Sequence, residues 1–290
     1  MGGASGAAAR PWGRSLLWRV GFRLFGERLE YWRDRLWRRY LDFGRARVWV
    51  ATPVDAVFRL LEIKGLVPSP LVALEVFGRQ GLWKTIEYAH RCDYLEFYEI
   101  HSAHADLARR VLPPDRSVIV AADSVAAVRD GTLRRSDYSF VLIDSFPQCF
   151  GDNYCECFDL FPHLFDRLAD RSVLVINAFM TIPDGPDADP RLLERRREFY
   201  GLPDAESARR LDAKVLLEAH ARLLPPGYSL ADLFLVPHPG DTVFVVMCVR
   251  RDRPRTQGVG HGAGGQDPWS ALVQGEHGAW RAASVLRPRL

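Results

Sequence analysis

From Leu71 the chain alternates short apolar runs with stretches in which apolar residues recur every three or four positions. The runs are LVALEVF (71–77), YLEFYEI (94–100), SVIVAA (117–122), YSFVLID (138–144) and SVLVINAF (172–179). Between them the spacing predicts helices over 82–91, 103–111, 125–129 and 158–168. Runs this apolar leave little room for a solvated face, so the strands should be covered on both sides. Strands separated by helices are the signature of a parallel, doubly wound α/β sheet. The pattern then changes. A helix over 212–223 and the turn PPGY lead into SLADLFLVP and DTVFVVMCV, joined by a loop around HPG too short for anything but an antiparallel hairpin. The sheet is expected to end in that antiparallel edge.

Upstream, Pro53–Ile63 reads as a helix closed by Gly65 and Pro68. Ser15–Phe43 reads as a longer one, with Phe25, Leu29, Trp32, Leu36, Tyr40 and Phe43 on one face. That face needs cover, from the main domain or from a second copy in a homodimer. The expected organisation is therefore a flexible start with a helical extension (1–68), an α/β domain (69–252) and a Gly-rich, polar, disordered tail (253–290). Residues 181–210 are too long for a plain connection and are expected to form an insertion covering the substrate.

Charge changes this picture little. The net charge of +3 hides an N-terminal arm with 11 arginines against 4 acids in residues 1–50, which leaves the remainder acidic. A basic arm admits nucleic acid or an anionic membrane surface as a partner, and both rank behind packing. Arginine outnumbers lysine 36 to 3, a bias ascribed to a GC-rich coding sequence. The five cysteines are odd in number and not spaced as a secreted disulfide framework, so a reducing cytoplasm is the expected location. No apolar run approaches the roughly 20 residues of a membrane span. Cys149, Cys155 and Cys157 lack paired Cys-x-x-Cys spacing, and no metal is predicted.

Ligands of open α/β sheets bind beyond the carboxyl ends of the strands. The first run ends in Glu75-Val-Phe-Gly78-Arg-Gln-Gly81, where glycines allow close backbone approach. The second ends at Glu99, placed to accept both hydroxyl hydrogens of a ribose. The third ends in Asp123 and Ser124, suited to adenine, and the fourth in Asp144. Each acid also has an ordinary reading: Glu99 and Asp123 as helix caps, Asp144 as a solvated turn residue.

Taken in order, LEVFGRQG, YLEFYEI, VAADS, FVLIDSFP and the terminal hairpin resemble the class I S-adenosylmethionine-dependent methyltransferases over about 69–251. The first motif departs from that family at Phe77 and Arg79, where glycine is usual, and DSFP is not the signature of amino-methylating nucleic-acid enzymes. The resemblance implies a Rossmann-like sheet of seven strands with the last antiparallel. It also implies S-adenosylmethionine as cofactor, held by Glu75, Phe77, Gly78, Gly81, Glu99, Ile100, Asp123 and Ser124, and methyl transfer to a small molecule with Asp144 as the catalytic residue. Tyr154, Asn177, Arg196 and Tyr200 are candidates for contacting the substrate, and His163 is read as structural. A noncatalytic scaffold with the same fold and a nucleic-acid methyltransferase are the alternatives.

Overall fold

The computed structural model describes residues 53–144, 149–150, 154–155, 157–182, 189–238 and 242–252. The expected N-terminal helix and C-terminal tail lie outside them. So do the side chains of residues 78–83, 149–150 and 154–155, among them the Arg79 guanidinium and the Tyr154 ring.

Helix α1 (Pro53–Lys64) precedes strand β1 (Val72–Val76), helix α2 (Gly78–Ala89), β2 (Tyr94–Tyr98), α3 (Ser102–Val111), β3 (Ser117–Val120), α4 (Ser124–Arg129) and β4 (Tyr138–Ile143). A small antiparallel ribbon, β5 (Cys149–Phe150) with β6 (Tyr154–Cys155), follows β4. Then come α5 (Phe161–Leu164), β7 (Leu168–Phe179), α6 (Pro190–Tyr200), α7 (Ala213–Ala221), β8 (Tyr228–His238) and β9 (Thr242–Arg251). The main sheet has seven strands in the order β3-β2-β1-β4-β7-β9-β8. Strands β1, β2, β3, β4 and β7 pair in parallel, whereas β9 runs antiparallel to both β7 and β8.

Two cores follow from the alternation of side chains across the strands. Ala73, Phe97, Phe140, Leu142, Val175 and Phe244 pack beneath α1, α2 and α3, while Leu74, Val76, Val141, Ile143, Ile176 and Met247 pack with α4, α5 and α7 on the other face. Both faces of β1 and β4 are therefore buried, which is why these strands carry no polar alternation.

The sheet ends in the antiparallel hairpin as expected, with β9 inserted between β7 and β8 and β8 forming the border. The helices need correction. The helix expected over 158–168 is a single turn, α5, followed by a 3-10 turn at Phe165–Arg167. Pro162 fixes its start, and Leu168 already pairs with Tyr138 as strand, so the helix has no residues left to grow into. The carbonyls released there are taken by Tyr228, whose hydroxyl donates to Phe165 O at 2.6 Å, and by Arg251, which donates to Leu168 O at 3.1 Å.

Within 181–210 the chain forms a helix that periodicity missed. Asp189 caps α6 by accepting from Arg191 N, Pro190 occupies its first turn, and Gly201 ends it at φ 67°. A bridge from Thr181 to Arg210 closes the base of the segment. Among the described residues no helix is long and apolar enough to cross a membrane. Cys92, Cys157 and Cys248 are buried and form no disulfide.

Candidate functional site

The strand order reverses between β1 and β4: the chain winds outward from β1 through β2 to β3, then returns to lay β4 on the other side of β1. This is the place where an open α/β sheet leaves a crevice beyond its strand ends. The loops after β1, β2, β3 and β4 carry most of the expected site residues to one end of the sheet.

After β1, Phe77 adopts φ 63° and ψ 43°, the left-handed conformation that costs a side-chain-bearing residue about 1 kcal/mol. Helix α2 begins at once with Gly78, earlier than the sequence pattern indicates, so Gly78 and Gly81 both lie in its first turn. The strained turn is tied to the end of β3, since Phe77 N donates to Ser124 Oγ at 3.4 Å. Strain at a ligand-binding turn is a recurring observation.

After β2, Glu99 is buried. Its Oε1 accepts from His101 N at 2.7 Å, Oε2 has no hydrogen-bond partner, and His104 Nδ1 stands 3.9 Å from that oxygen. Ile100, the next residue, is 61% exposed, the opposite of what its side chain favours. After β3, Asp123 caps α4, with Oδ1 accepting from Val125 N at 2.8 Å and Ala126 N at 3.3 Å. Capping and ligand contact are compatible, because capping occupies one oxygen.

Beneath the end of β1 a buried polar network has formed. Glu75 Oε2 accepts from Thr85 Oγ1 at 2.9 Å and from Tyr88 OH at 2.7 Å, whereas Oε1 has no partner. Burial raises the Glu75 carboxyl well above the usual carboxylate range, and the nearby charge of Asp144 pushes the same way, outweighing the tyrosine hydrogen bond. Asp144, 3% exposed, has both oxygens engaged: Lys84 Nζ at 2.5 Å on Oδ2 and Asn177 Nδ2 at 2.8 Å on Oδ1. Asn177 keeps its own Oδ1 unpartnered. The ammonium of Lys84 also lies 5.2 Å from the centre of the Phe244 ring.

Two substrate candidates are employed elsewhere. Arg196 is fully buried and donates from Nε to Ala208 O at 3.0 Å and from Nη2 to Phe179 O at 2.8 Å. It joins α6 to the base of the insertion, and its guanidinium is not presented to a ligand. The Tyr200 ring is buried against Phe158, Phe199 and His220. That same cluster encloses His220, whose Nδ1 faces Leu216 O at 2.8 Å and whose burial depresses its pKa to about 4. Asp144 and Asn177, by contrast, are brought together.

Sequence reasoning missed Lys84, Thr85 and Tyr88, which face the strand ends from α2. Thr85 and Tyr88 are separated by three positions on one helix face, a spacing visible in the sequence but uninformative until Glu75 is known to lie beneath it. Lys84 did carry a signal: it is one of three lysines among 36 arginines, so its side chain departs from the chain's habit.

No protein-family model matches the chain, and no curated protein does. Solved structures do match. The 1,6-didemethyltoxoflavin-N1-methyltransferase of Burkholderia thailandensis, with bound 1,6-didemethyltoxoflavin and S-adenosylhomocysteine, aligns over 78% of this chain and 90% of its own, at 16% identity and TM-score 0.42. TrmN from Thermus thermophilus aligns over 68% and 48%, at 15% identity and TM-score 0.41. Structures that match in this way are mostly methyltransferases. Their identities and scores add nothing to what the sheet order establishes by itself: seven strands, a reversal between the first and fourth, and a last strand running antiparallel, the class I methyltransferase fold.

Proposed function

We propose that this chain is an S-adenosylmethionine-dependent methyltransferase acting on a small molecule. The observation that carries the reading is Glu99. A buried carboxylate with one oxygen held by a backbone N–H and the other without a hydrogen-bond donor, its nearest cation-forming group being His104 Nδ1 at 3.9 Å, is costly unless a ligand supplies the missing donor. It lies at the strand end where the hydroxyls of a ribose would sit, beside the exposed Ile100, which offers an apolar surface to a base. The residues present therefore fit a nucleoside-bearing cofactor.

In this reading the Phe77 turn with Gly78 and Gly81 brings backbone amides close to the ligand, Glu99 accepts from the ribose, and Ile100, Asp123 and Ser124 border the adenine. Glu75 supports the turn from below, with its Oε1 open toward a ligand. When bound, S-adenosylmethionine supplies an electrophilic methyl group on a sulfonium. The chain's own contribution is positioning and charge. Asp144 and Asn177 stand at the ends of the neighbouring strands β4 and β7, on the acceptor side. With both oxygens engaged, Asp144 acts by orienting its partners rather than as a free general base.

Calorimetry with S-adenosylhomocysteine tests the reading. The wild-type chain should bind it, and Glu99→Ala should weaken binding by about 2 kcal/mol, roughly thirtyfold. Equal affinity in the variant would remove Glu99 from the site, and no binding by either protein would leave a scaffold with a methyltransferase fold.

A further inference from the structure

We propose that Lys84 is the acceptor-binding residue of this site and that the acceptor carries an anionic oxygen, as in a phenolate, an enolate or a carboxylate. The inference rests on the methyltransferase reading and names its substrate class. Its basis is the unequal exposure of the network's members. Glu75, Thr85 and Tyr88 are buried beneath the strand ends, and Asp144 and Asn177 are buried beside them, whereas the Lys84 side chain is 18% exposed against 3% for its partner Asp144. Among the charged side chains of this network, Lys84 is therefore the one that reaches solvent.

The ammonium is held for that purpose. An ammonium has three donors, of which Asp144 Oδ2 takes one at 2.5 Å. The face of Phe244 borders it at 5.2 Å, and Asn177 fixes the other oxygen of Asp144 at 2.8 Å. A cation fixed in advance by a buried carboxylate needs no rearrangement when an anion arrives. A protonated amine would meet like charge, and a neutral alcohol would gain only an ordinary hydrogen bond, so the site selects an acidic hydroxyl or a carboxylate. The lysine is also chemically apt: in a chain that otherwise uses arginine, position 84 carries the compact point charge rather than the broad planar fork.

The test uses 4-nitrophenol, whose phenolate absorbs visible light, added to the chain saturated with S-adenosylhomocysteine about one pH unit below the probe's own ionisation. The wild-type chain should bind the probe as phenolate, with the ratio of ionised to neutral probe raised roughly tenfold over free solution, a shift of about one unit. Lys84→Arg should retain the signal in part. Lys84→Gln still donates to Asp144 but lacks the charge, and should lower the ionised-to-neutral ratio roughly tenfold, back to that of free solution. The double variant Lys84→Gln with Asp144→Asn, which leaves no buried carboxylate unpaired, should lower it equally. An undiminished phenolate signal in these two variants overturns the inference. Wild-type protein that binds S-adenosylhomocysteine but gives no phenolate signal overturns the inference alone, whereas failure to bind S-adenosylhomocysteine overturns the cofactor reading and the inference with it.

Discussion

Strand β2 and the residues just beyond it place two buried carboxylates three positions apart, and the fold treats them in opposite ways. In the interior, Glu96 is surrounded by donors: Tyr138 OH at 2.5 Å, Tyr98 OH at 2.8 Å, Tyr94 OH at 3.2 Å and Arg134 N at 3.2 Å. At the strand end, Glu99 has one backbone donor and one open oxygen. The interior site is complete without help. The strand-end region, which also holds the open Oε1 of Glu75 and the open Oδ1 of Asn177, is not. The carboxylate that serves only the fold is satisfied by it, and unsatisfied oxygens gathered at a sheet's switch point are open to a ligand.

The contrast is sharpest in how each region should respond to loss. Glu96→Ala removes the acceptor of the buried Tyr98 and Tyr138 hydroxyls and of the half-buried Tyr94, and should destabilise the chain by about 4 kcal/mol, read from denaturant unfolding. A loss below about 1 kcal/mol would mean that the tyrosines find other partners and that Glu96 is not structural.

The next effect in size belongs to the aromatic cluster around His220. Its folded pKa of about 4 lies below the ordinary histidine value, so between about 6.5 and 4 the unfolded chain binds the extra proton. Stability should therefore fall as pH drops through that window, by up to about 3 kcal/mol from this residue. His220→Phe should flatten that acid limb in melting curves taken across pH, and an unchanged limb would place the titrating group elsewhere.

Glu99→Ala should show the reverse profile to Glu96→Ala. Removing a half-satisfied carboxylate should leave the melting temperature of the ligand-free chain level or slightly higher. The stabilisation that S-adenosylhomocysteine confers should shrink by about 2 kcal/mol. A variant that melts well below wild type without ligand would make Glu99 a structural cap and would end the comparison.

The smallest effect concerns Asp123, which belongs to both regions. Asp123→Ala removes the cap of α4 and should cost about 1 kcal/mol of stability. Asp123→Asn can still cap, so any loss of S-adenosylhomocysteine affinity in that variant reports the ligand contact separately.

Sequence by itself determined which segments are strands and helices wherever the signal is local. Side-chain alternation and three-to-four spacing depend only on neighbouring residues, so β1, β2, β4 and the two arms of the terminal hairpin were legible. The acids at the strand ends were legible too, because a strand's end fixes where its last side chain goes. Helix α6 could have been read from Asp189, Pro190 and Gly201, whose chemistry at helix ends is local. What only the tertiary structure decided depends on which elements lie side by side. It inserts β9 inside the sheet rather than at its border, because register against β7 is a property of two strands 60 or more residues apart. It cuts short the helix after Phe158, because Leu168 is claimed by Tyr138. It buries Arg196 on two carbonyls and lifts Lys84 to the head of Asp144. An arginine or a lysine looks the same in sequence whether it holds the fold together or meets a ligand; the distance to its partners and to solvent makes the difference, and both are set only when the chain has folded.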